Sequence, residues 1–167
     1  EEAKRHWRAA LAADSTWPLA VIRNGEYSRE GAERGRTLAS TWPAGDRDML
    51  AYADAYANGR WEEAYAVAQR RLTVDSVTWV VPGLITANHT QRHAEGARIG
   101  SRRNLPSYWS EPKRRPSLSR VWTAHVLHAL GRFDEELAMA DELAEVAPAL
   151  AVNQVSMRIA AHAGMGH

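Results

Sequence analysis

A short string recurs along this chain at nearly constant intervals, and a chain written that way must repeat one local structure. The string is a glycine or polar residue, a charged residue and then an aromatic or histidine ring. It occurs at Gly25-Glu26-Tyr27, Gly59-Arg60-Trp61, Gln91-Arg92-His93 and Gly131-Arg132-Phe133, and Gly164 marks a fifth turn near the end. The first residues of these turns are spaced by 34, 32, 40 and 33 positions. Periods of 20 to 50 residues are the signature of stacked repeats, each unit burying a face that it cannot bury alone. The chemistry of the string explains the turn. Glycine just past a helix end accepts the left-handed backbone that stops the helix, and the ring that follows can pack between the two helices being joined. Acids next in line, Glu62-Glu63 and Asp134-Glu135-Glu136, open the following helix, where they complement its dipole.

The segments between turns carry helical periodicity. Val121 to Leu150 reads as a first helix with Val121, Ala124, Leu127 and Leu130 on one face, a Gly-Arg-Phe turn, a second acid-led helix and a stop at Pro148. Met49 to Ser76 repeats the plan, with the small Ala64 five residues past its turn glycine. Both segments resemble tetratricopeptide-repeat units, and the span from Trp79 to Arg103 resembles a degenerate one. The resemblance implies an all-α fold, a right-handed superhelical stack of antiparallel helix hairpins (a TPR-like α-solenoid) of about nine or ten helices forming a single domain over residues 1–167. The chain departs from that pattern at Glu30 and Glu136, which replace the small residue, and at Ala68 and Ala140, which replace an aromatic. The opening segment, with Trp7, Ala10 and Leu11 on one face, resembles a second helix without its first. The closing segment "AVNQVSMRIAAHAGMGH" resembles a first helix without its second, so a piece of a longer chain is expected.

Composition narrows the function. The 167 residues carry a net charge of only +1, so any nucleic-acid or membrane-surface attraction must be local. The absence of cysteine excludes disulfides, thiolate catalysis and cysteine-based metal sites. No apolar run reaches the ~20 residues that span a bilayer. No phosphate-binding glycine loop or nucleophile elbow is present, and no strand-like alternation would support one. His89 and His93, and His125 and His128, could each share a helical face, but no third ligand accompanies either pair. No enzyme activity, metal or cofactor is expected.

A solenoid works through its concave face, lined in this family by the first helix of each hairpin. Counting back from the turns places Arg23, Tyr56, Asn88, His125, His128 and Arg158 there, where they would hold an extended peptide or a helix. The carboxylate-clamping, chaperone-binding members of the family are disfavoured, because Leu19, Ala53, Ile85, His125 and Arg158 stand at the positions of their Lys and Asn set.

One stretch breaks the period. Residues 98–120 hold seven basic residues (Arg98, Arg102, Arg103, Lys113, Arg114, Arg115 and Arg120) against one acid, with a Tyr108-Trp109 pair and prolines at 106, 112 and 116, an irregular insertion centred on 104–117. It reads either as a basic-aromatic surface for phosphates or bases, or as a covering loop whose arginines meet the acids of the next hairpin, among them Glu136, Asp141 and Glu142. Ser117 follows a basic pair, as in a basic-directed kinase site. The expected role is a non-catalytic protein-interaction scaffold whose partner is another protein or another part of its own polypeptide. The alternatives are a ligand-sensing domain of a larger bacterial regulator, or nucleic-acid binding through residues 98–120.

Overall fold

A computed structural model of the chain describes residues 2–18, 21, 29–101, 116–146 and 151–167. Among them the secondary structure is helical throughout, with no strand. The helices are α1 (Glu2–Ala13), α2 (Arg29–Leu38), α3 (Ala44–Ala57), α4 (Trp61–Leu72), α5 (Ser76–His89), α6 (His93–Ser101), α7 (Pro116–Ala129), α8 (Phe133–Val146) and α9 (Ala151–Gly164), with a 3-10 turn at Ala39–Thr41. The all-α class is the one expected, with nine α-helices among the described residues. The chain divides into two compact units, residues 1–68 and 69–167.

Three of the expected turns share one set of backbone bonds. At Gly59, Gln91 and Gly131 the backbone is left-handed, with φ of 67°, 58° and 69°. The amide of each donates to the carbonyl three residues back, and the next amide to the carbonyl five residues back: Arg60 to Ala55 at 2.8 Å, Arg92 to Ala87 at 2.8 Å, Arg132 to Leu127 at 3.0 Å. This pairing satisfies carbonyls that a helix end otherwise leaves without donors. A fourth copy closes α9, but its left-handed residue is Gly166, φ 84°, rather than Gly164, with His167 donating to His162 at 3.0 Å. Gly164 serves packing instead, because a Cβ there would run into the ring of Phe133. The turn at Gly25-Glu26-Tyr27 lies outside the described residues, as do Trp109 and Pro148.

In the first unit, Val21, Trp42, Leu50 and Ala53 form the core, with Leu11, Leu38, Ala39 and Met49 packed against it. The Trp42 indole donates to the Thr16 carbonyl at 3.1 Å, giving a buried polar edge its partner. In the second unit α5, α6 and α7 pack on one another, as do α7, α8 and α9. The oxygen of Asp75 accepts the Thr78 amide at 3.0 Å and caps α5. The Gly131 hairpin is held by Val121, Ala124 and Leu127 from α7, Met139, Ala140 and Leu143 from α8, and Met157 from α9. Leu130 is not part of that face. It sits beyond the end of α7 in the turn and is 38% exposed. Of the described tryptophan side chains, Trp42 and Trp79 are buried, Trp61 and Trp122 half-buried and Trp17 exposed.

The turn geometry has a direct energetic consequence. A Cβ at Gly131 would meet nothing within 4 Å, so Gly131→Ala is opposed only by its left-handed backbone and should cost about 1 kcal/mol. Gln91 already bears that strain, so Gln91→Gly should stabilise the fold by a fraction of the same amount. Urea denaturation of the two variants checks both signs.

Candidate functional site

The Gly131 hairpin differs from its neighbours at one buried position. Counting five residues on from each left-handed turn residue gives Ala64, Gly96 and Glu136. The first two allow their helices to approach closely. Ala64 has no exposed surface, and a Cβ on Gly96 would lie 2.9 Å from Val126. Glu136 places a carboxylate at the same point, yet it is only 1% exposed. A buried charge requires a partner, and Glu136 has one: its Oε2 lies 2.9 Å from His128 Nδ1. An ionised carboxylate can only accept, so Nδ1 carries the proton and donates.

Beside this pair lies a cleft of about 310 Å³. From α7 it is lined by Val121, His125 and His128, and from α8 by Glu136. From α9 come Asn153, Ser156, Met157 and Ala160. Helices α7 and α9 precede successive turns of the same kind, so the cleft runs between equivalent helices with one acid from α8 among its walls. His128 is further held by the Phe133 ring, 5.4 Å away edge to face, and His125 by Trp122 at 5.3 Å. Trp122 in turn lies 6.4 Å from His89.

The site has its own electrostatics. Desolvation lowers the pKa of His125, the neighbouring His128 lowers it further, and the charge of Glu136 opposes both. The fold therefore holds a proton on His125 less tightly than the unfolded chain does. The stability contributed by this group is complete above about pH 6.5 and declines as the pH falls through its folded value.

The proposed groove residues fall in different places. His125 and His128 line the cleft. Arg158, on the same helix as Asn153 and Ser156, is exposed and pairs with Asp141 of α8. Asn88 is half-buried at the end of α5, where its carbonyl accepts the Gln91 amide. Tyr56, in the first unit, stacks on Tyr52 at 5.9 Å and meets the edge of Trp61 at 5.1 Å. Arg23 lies outside the described residues. So do Arg102, Arg103, Lys113, Arg114 and Arg115 of the basic stretch, while Ser117 falls in the first turn of α7. Arg98 is exposed on α6. Arg120 is no surface cation: it is 7% exposed, and its Nε lies 3.3 Å from Glu142 of α8. Among the described residues, no group of three or more His, Asp or Glu side chains is arranged to hold a metal ion.

Sequence reasoning missed Asn153, Ser156, Met157 and Ala160. Small and polar residues on a helix announce nothing until the neighbouring helix is placed. Glu136 did leave a signal, as an acid in a slot that is small in two other hairpins.

Comparison with known protein families, with characterised proteins and with solved structures finds no match to this chain.

Two measurements probe the site. In His128→Ala the Glu136 carboxylate loses the imidazole 2.9 Å away, and denaturation should show a loss of about 3 kcal/mol. In an NMR titration the His125 ring should titrate below the ordinary histidine value. Removing the Glu136 charge with Glu136→Gln should move that midpoint lower still.

Proposed function

We propose that this chain is a non-catalytic, tetratricopeptide-like binding module that receives an extended segment of a partner protein. The observation that carries this reading is the position of the cleft. It lies between α7 and α9, which hold equivalent places before turns of identical backbone bonding, and such first helices are the ones whose polar groups face a bound peptide in solenoids of this class. His125, His128, Asn153 and Ser156 supply hydrogen-bonding groups there, with Val121, Met157 and Ala160 between them. Polar groups spaced along an apolar floor suit an extended backbone, which needs both hydrogen bonds and shallow side-chain pockets.

Nucleic-acid binding through residues 98–120 has less behind it, because Arg120 is spent on an internal ion pair. Affinity for phosphate backbones rests on the number of cations free to meet them.

Panning a random peptide library on the folded chain tests the proposal. Enriched peptides should share an extended motif and bind at least about tenfold more weakly to Ser156→Trp, whose indole fills the cleft from an exposed position. Absence of enrichment, or equal binding to the filled variant, would overturn it.

A further inference from the structure

We infer that the cleft between α7 and α9 selects a basic side chain, the ammonium or guanidinium of a lysine or arginine on the partner segment, and that Glu136 is the residue that selects it. This rests on the peptide-binding reading above and names what that site recognises.

A carboxylate has two oxygens and about four acceptor sites. Glu136 Oε2 is engaged by His128, whereas Oε1 accepts no hydrogen bond from the described residues and keeps a small surface on the cleft, on a side chain that is only 2% exposed. A carboxylate oxygen held at the cleft wall with spare acceptor sites is best met by a ligand that brings donors and positive charge. Among the described lining residues Glu136 is the single carboxylate, and none is a lysine or arginine.

A cleft of about 310 Å³ is roughly tenfold larger than the share of one water, so it has room for a side chain rather than for a solvating molecule alone. Its walls suit the two parts of a long basic residue. Val121, Met157 and Ala160 can cover an aliphatic stem, while Glu136 and Asn153 offer acceptors to its head. The His128 imidazole beside Glu136 is 44% exposed, so the head can be reached from solvent.

The turn-aligned positions are small at Ala64 and Gly96 and acidic at Glu30 and Glu136. A buried ion pair is seldom a net source of stability. Glu136 lines a cleft of side-chain size, where a carboxylate serves recognition.

The test uses short peptides and the whole chain. Acetylated, amidated pentapeptides Ala-Ala-X-Ala-Ala, with X as arginine, lysine, citrulline or glutamate, are titrated while the Met157 methyl and His128 ring signals are followed by NMR. Arginine and lysine peptides should shift both signals in the range of about 1 mM or below, and citrulline, which keeps the shape and loses the charge, at least about tenfold more weakly. Glu136→Gln, which keeps the side chain's size and its acceptor for His128, should abolish the difference between arginine and citrulline. Equal binding of citrulline and arginine by the unmodified chain overturns the inference, as does a persistent arginine preference in Glu136→Gln. If N-acetylarginine methylamide binds as tightly as the peptide, the occupant is a small cation and the assignment to a partner protein is overturned. If library peptides enriched through the cleft carry apolar or acidic residues there, peptide binding stands and the basic preference alone fails.

Discussion

The second unit of this protein depends on how closely its helices approach, and that distance is set by residues with little or no side chain. A Cβ added to Gly100 would fall 2.6 Å from the Thr123 hydroxyl oxygen, and Ala87, Ala124, Ala140 and Ala161 have no exposed surface at all. Such contacts bring backbones together, and dense packing then leaves no room to move one helix without moving the next. Leu143 and Trp79 fill space that the small residues have already defined. Glu136 is the exception on which the site depends. It brings charge to a position of the same kind, and the cleft lies beside the His128 that answers it.

The sequence displayed the turns because a turn is a local event. Gly59 and Gly131 are glycines for a backbone reason, and the interval between them and Gln91 was readable without any knowledge of packing. Gln91 shows that the register of the helices can impose the left-handed conformation on a residue that does not favour it. Position 164 was assigned by residue type alone, and the turn falls two residues later, where Gly166 completes the same bonds. Glycine at 164 answers to the Phe133 ring instead.

The site was legible only in part, for a physical reason. His125 and His128 could be placed one turn apart on a single face from their spacing. That Asn153 and Ser156 face them depends on the rotation of α9 against α7, which is decided by side chains far apart in sequence. Arg120 shows the same limit: its neighbours in the chain suggest a basic surface, while its partner Glu142 lies 22 residues away and draws it inward. Charge counted along a segment therefore overstated the charge offered to solvent.

In the second unit each helix packs chiefly on the one or two that follow it in the chain. Contacts so close in sequence need only short loops to close, so the loss of chain entropy before the first stabilising contact is small. A strand pairing has to wait for a distant partner to be synthesised, whereas α5 and α6 can associate once both have left the ribosome, and α7 then adds to a surface already formed. Assembly can in this way keep pace with translation, with little time during which the apolar faces of unfinished hairpins are open to other chains.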